Sequence, residues 1–247
     1  MNHHTLAAIS ISGSCLDVLG SLYLAYDLLG GRFGPLRLLT RMVTYSVVFG
    51  LGYTLGLGLF FGLAAGITTG FTVAIEFSRA AKGLDHHSSP WEALFSAIRG
   101  AGMATGLYPA VGLRFAFAFG LLSTAGQIFA YSRGMRPAID YTAARRPRLS
   151  RRQLRGVIVR TIGYLAAALI CSAFVRHLDH PWLFAVRVGL VTGLVTGVGT
   201  TVNPYIEYYA DNLPERGLGA FGIGLILCGF TLQSLQYWLA LFDIHLT

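Results

Sequence analysis

The chain has 247 residues, of which 54% are hydrophobic and 12% charged, and its mean hydropathy is +0.58. So few polar side chains cannot cover a soluble globule of this length, which makes a bilayer the natural solvent. The formal charge is +8, but eight of the arginines lie between Arg133 and Arg155, so the excess marks one loop and excludes a generally basic, nucleic-acid-binding protein.

A helix needs roughly 20 apolar residues to cross the hydrocarbon core. In chain order, apolar windows occupy 6–29, 42–57, 60–78, 91–112, 115–132, 156–175, 184–209 and 217–242. They predict an all-α, polytopic transmembrane helix bundle of about eight spans, in an integral membrane protein of the bacterial inner (plasma) membrane. Met1-Asn2-His3-His4 lacks the basic region of a secretory signal, so the first window reads as a retained span. Ile11 to Cys15 resembles a lipoprotein box too loosely to argue lipidation. Asp17 sits at the centre of this span, where an ionised Asp costs about 2.5–3.5 kcal/mol on insertion scales. It needs a partner, and Arg99 is the arginine that a crossing 91–112 segment would carry deepest.

Residues 42–78 hold no charge except Glu76, and the chain must turn between the second and third spans around Gly56 to Gly58. The fourth window begins with Trp91, Leu94, Phe95 and Ile98 on one face and Glu92, Ser96 and Arg99 on another, a pattern that equally suits an interfacial helix. Cationic residues decide the reading, because cytoplasmic loops near spans are rich in them. Eight spans with both termini outside place Arg32, Arg37, Arg41, Arg79, Lys82, Arg216 and the 133–155 cluster inside, leaving Arg114 and Arg176 outside.

Residues 62–70 read Gly-Leu-Ala-Ala-Gly-Ile-Thr-Thr-Gly and residues 189–197 read Gly-Leu-Val-Thr-Gly-Leu-Val-Thr-Gly. Gly62, Gly66 and Gly70, and likewise Gly189, Gly193 and Gly197, form smooth ridges on which another backbone can approach. With four crossings between equivalent points, the pattern predicts a parallel 4+4 pseudo-repeat of residues 1–112 and 115–247 within a single membrane domain. Residues 1–132 carry the first four to five helices, 133–155 a basic cytoplasmic loop, and 156–247 the remaining three.

Beside the glycines run polar rows. Thr196, Thr200, Asn203 and Glu207 share one face of the seventh span, and Thr69, Thr72 and Glu76 share one face of the third. Pro204 would leave the Thr200 carbonyl without its helical partner. Polar faces avoid lipid and turn inward, so these residues and Asp17 are the transport or ion-binding candidates, with Glu76 and Glu207 sharing a site. Arg160 and Arg187 read as snorkelling side chains. In the basic loop, Arg145, Arg146, Arg148, Arg151, Arg152 and Arg155 are candidates for anionic lipid head groups.

Cys15, Cys171 and Cys228 stand singly, and His86–His87 and His177–His180 sit in polar turns, so neither metal nor cofactor is expected. The favoured function is a small carrier or channel moving a proton, small cation or small solute. The alternatives are a non-catalytic subunit or scaffold that packs with a membrane partner, another copy of itself or anionic lipid, and, last, an intramembrane enzyme. The enzyme ranks last because no nucleophile elbow or H-E-x-x-H pattern occurs.

Overall fold

The computed structural model describes residues 3–28, 36–80, 90–133, 151–174, 179–212 and 215–241. Among them the secondary structure is helical: α1 His3–Leu28, α2 Leu36–Leu57, α3 Leu59–Ala80, α4 Pro90–Ser132, α5 Arg151–Cys171, α6 Pro181–Asn212 and α7 Glu215–Leu241, with a short 3-10 turn at Ser172–Phe174. Seven helices are long and apolar enough to cross a membrane, which makes this an integral membrane protein. Helix α5 starts at Arg151, so Arg151, Arg152 and Arg155 stand on helical turns and not in a loop. Arg155 is exposed. Arg145, Arg146 and Arg148, and the side chains of Arg151 and Arg152, lie outside the described residues.

Two reversals depend on glycine. Gly58, with φ 96°, ends α2 by donating its N–H to the Thr54 carbonyl at 2.9 Å, a helix-terminating geometry that suits a residue without Cβ. In α4, Gly112 adopts φ 78° and ψ 172°, which is not helical. A straight helix of this length would extend about 65 Å, twice the hydrocarbon thickness. Instead the chain folds back: a Cβ on Gly100 would lie 2.6 Å from the Gly120 carbonyl oxygen. Helix α4 is therefore two antiparallel arms, 90–111 and 113–132, joined at Gly112.

The chain divides into two compact units, Met1–Thr40 with Tyr209–Thr247, and Arg41–Tyr208. In the first, α1 and α7 run antiparallel. Gly13 faces Gly229 and Gly20 faces Gly222 so closely that a Cβ on Gly20 would lie 2.5 Å from the Gly222 carbonyl. This approach brings Gln233 Nε2 onto the Asp17 carboxylate. Asp17, for which Arg99 was the expected partner, thus takes an amide on the neighbouring helix of its own unit, and Arg99 is engaged within the other unit by Glu76.

In the second unit, α2, α3, the two arms of α4, α5 and α6 follow one another as neighbours, and α6 returns to α2. Five of these six joints are made where a glycine meets its neighbour without room for a Cβ. On α3, a Cβ at Gly66 would lie 2.7 Å from the Gly50 nitrogen, and one at Gly70 would lie 2.6 Å from the Tyr45 carbonyl carbon. Gly102 and Gly106 of the first α4 arm meet Thr68 and Phe61 of α3, and Gly100 and Gly120 join the arms. On α6, a Cβ at Gly189 would lie 2.5 Å from Leu165 Cα and one at Gly197 would lie 3.0 Å from Val157 Cα, while Gly52, Gly56 and Gly199 join α2 to α6. Lipid supplies no hydrophobic force between helices, so dispersion between closely approaching backbones is the main adhesion available. Tyr45, Phe49, Tyr53, Phe61, Phe115 and Phe119 fill the interior.

A leucine at Gly193, whose Cβ would sit 3.2 Å from the Thr161 nitrogen, should separate α5 from α6 and cost about 1–3 kcal/mol. Gly156→Ala meets nothing within 4 Å and should hold or raise stability. Thermal unfolding of both variants in detergent checks this contrast.

Candidate functional site

The strongest polar contact in the second unit joins α3 to the first arm of α4. Arg99 Nη1 donates to Glu76 Oε2 at 2.9 Å and Nη2 donates to Glu76 Oε1 at 2.8 Å, while Nη2 also donates to the Tyr131 hydroxyl at 3.0 Å. The Arg99 side chain is 3% exposed and that of Glu76 16%. The fork geometry satisfies both carboxylate oxygens at once, as burial of two charges requires. Glu76 is therefore neutralised by its own neighbour. The depth of Arg99 signalled a buried partner; choosing between Asp17 and Glu76 required knowing that α4 packs against α3.

Next to this pair lies a cavity of about 230 Å³, somewhat smaller than the roughly 300–1,000 Å³ of drug-sized ligand sites. Thr69 of α3, Arg99 of the first α4 arm, Ser123, Gln127 and Tyr131 of the second arm, Arg160 and Tyr164 of α5, and Thr196 and Thr200 of α6 supply its polar lining. Leu122, Phe129, Val73, Val159 and Ala167 supply most of the rest. Gln127 Nε2 donates to the Tyr164 hydroxyl at 2.8 Å. Tyr53 and Thr196 share a 2.8 Å hydrogen bond, and Thr196 already donates to the Thr192 carbonyl, so the tyrosine hydroxyl is the donor. Arg160 Nη1 donates to Thr200 Oγ1, a neutral acceptor.

Two buried polar atoms of lining residues have no protein partner, Ser123 Oγ and Arg99 Nε, while the Thr69 hydroxyl stands beside that of Tyr53. Buried polar groups are nearly always satisfied, by protein or by something bound. The described lining holds two guanidinium groups and no carboxylate. With Arg99 matched by Glu76, the charge of Arg160 is the one left over.

The polar rows are thus divided. Thr69, Thr196 and Thr200 line the cavity. Thr72 is buried and donates to the Thr68 carbonyl at 2.8 Å, away from the lining. Asn203 is fully buried with neither amide atom partnered, one turn beyond Gly199, which packs on the Phe49 ring. Glu207 lies within α6, but its side chain falls outside the described residues, as does that of Pro204. Asp17 belongs to the other unit. Arg160 is half-buried in the lining and does not snorkel; Arg187 is exposed and donates Nε to the Gly56 carbonyl at 2.9 Å. Ser123, Gln127 and Tyr131 stand four residues apart along the second arm of α4, and Tyr164 stands four residues after Arg160 on α5, so helical spacing could have found them as it found the other polar rows. No family model, curated protein or solved structure matches the chain.

Removing either partner strands a buried charge, so Arg99→Met and Glu76→Leu should each lower stability by about 3–5 kcal/mol. The double variant should lose clearly less than the sum, giving a coupling energy in a double-mutant cycle read by thermal unfolding. Additive losses would mean that the pair is not formed in the membrane.

Proposed function

We propose that the chain is a small-solute carrier, with the cavity of the Arg41–Tyr208 unit as its binding site. The observation that carries this reading is a cavity with nine polar lining residues from four helices, two of which, Arg99 and Ser123, keep a buried atom without a protein partner. A bundle built only for packing would fill that space. The charge of the lining favours a neutral or anionic solute over a proton or a metal cation, since Glu76 is committed to Arg99.

The same geometry supports eight crossings with both termini outside. Antiparallel α1 and α7 fit an even number of crossings between them, and counting the two arms of α4 separately gives eight in all. Arg41, Arg79, Arg133 and Arg155 gather at one end of the second unit and Arg114 and Arg187 at the other, which supports the first end as cytoplasmic. Two resemblances support a duplicated origin. Helices α2 and α3 meet through the ridge of α3 just as α5 and α6 meet through the ridge of α6, and the glycine contacts between the arms of α4 have their counterpart between α1 and α7.

In a background lacking Cys15, Cys171 and Cys228, Ser123→Cys and Thr196→Cys should react with a membrane-impermeant thiol reagent added to proteoliposomes. Ala185→Cys, at a fully buried core position, should not. Equal protection of all three would remove the carrier reading and leave a non-conducting scaffold.

A further inference from the structure

We infer that the cavity takes a single-chain amphiphile with an anionic head, such as a fatty carboxylate, which enters sideways from the bilayer between the second arm of α4 and α5. This deepens the carrier reading and rests on it. The joint between these two segments differs from the other five. Its glycines, Gly126 and Gly163, both belong to the cavity lining and both are exposed. A Cβ at either would meet nothing within 4 Å, whereas glycines at every other joint lie against a neighbouring backbone or side chain. Absence of a side chain here does not bring helices together; it holds a gap open.

The rim of the gap is oily. Leu122, Phe129 and Val159 line the cavity while being exposed on the surface that faces lipid tails. Behind the rim stand Gln127, Tyr131, Arg160 and Thr200, and Arg160 offers a guanidinium whose partner is a neutral hydroxyl. An apolar mouth with a cation inside matches a molecule with an apolar tail and an anionic head. The volume of about 230 Å³ holds a head group and a few methylenes, and the rest of the chain would trail through the gap into the bilayer. A doubly acylated lipid would have to bring two tails through one gap, which favours a single chain.

The test uses the full chain in phosphatidylcholine nanodiscs with a diazirine-bearing palmitic acid and, separately, its methyl ester. The acid should crosslink to residues 122–131 and 159–167 about tenfold more than the ester, the factor that corresponds to 1.4 kcal/mol. Arg160→Gln should erase this preference. Gly163→Leu fills the open gap without touching Arg160 and replaces a helical glycine by a better helix former, so it should keep thermal stability while abolishing crosslinking of both probes. Excess inorganic phosphate should not compete. Equal labelling by acid and ester, labelling outside these segments, or undiminished labelling in a folded Gly163→Leu protein would overturn the proposal, as would full displacement by phosphate, which would indicate a free anion arriving from water. If Ser123→Cys still reacts with the aqueous thiol reagent when crosslinking fails, the amphiphile is wrong and the carrier reading stands. If both fail, the cavity is not a binding site.

Discussion

Helices in a bilayer adhere only where their backbones can come close, because lipid tails solvate leucine as well as another helix does. In this protein that condition is met by glycine, and the distribution of glycine decides the architecture. The ridges at Gly66 and Gly189 are useful only because Gly50 and the Leu165 backbone lie opposite them. The same rule pairs α1 with α7 through residues seven apart. Where glycines face empty space, as at Gly126 and Gly163, the close backbone approach lapses, the segments are held by side chains such as Gln127 and Tyr164, and a cavity opens to the side.

Electrostatics then determines what the cavity can hold. A buried ion pair is seldom a net source of stability, since desolvation offsets the Coulombic gain, and the Glu76–Arg99 fork is better understood as a device that fixes α3 against α4 in one register. Its second effect is on charge. By consuming the one carboxylate of α3, it leaves the cavity with Arg160 and a set of hydroxyl and amide groups, an environment suited to an anion with hydrogen-bonding needs. Tyr131 ties both effects together, since its hydroxyl accepts from Arg99 while its residue lines the cavity.

Much of the architecture could be read from the chain. Apolar windows located every helix among the described residues, the turn near Gly58 followed from the need to reverse between adjoining spans, and windows 91–112 and 115–132 match the two arms of α4. The site was only half legible. Helical spacing found Thr69, Thr196 and Thr200 because polar rows are periodic along one helix. It did not find the partners of Glu76 and Asp17, Arg99 and Gln233, because an acid's partner is chosen by tertiary neighbours, and neighbours leave no period in sequence. Ser123, Gln127 and Tyr131 form a row at the same spacing, as do Arg160 and Tyr164, but rows with so few strongly polar groups stand out from an apolar arm only once α4 is seen folded against α5. Arg160 lies ten residues into α5, close enough to its end to look like an interfacial side chain.

The central claim is that one joint of the second unit is open to lipid. Its most direct measurement is the oxygen accessibility, by power-saturation electron paramagnetic resonance, of a nitroxide placed at position 126 or 163 in the reconstituted protein. Collision rates at both positions should be comparable to that of a label at the exposed Ile162. Rates as low as those of a label at the fully buried Ala168 would mean that α4 and α5 close on each other in the membrane, and would contradict it.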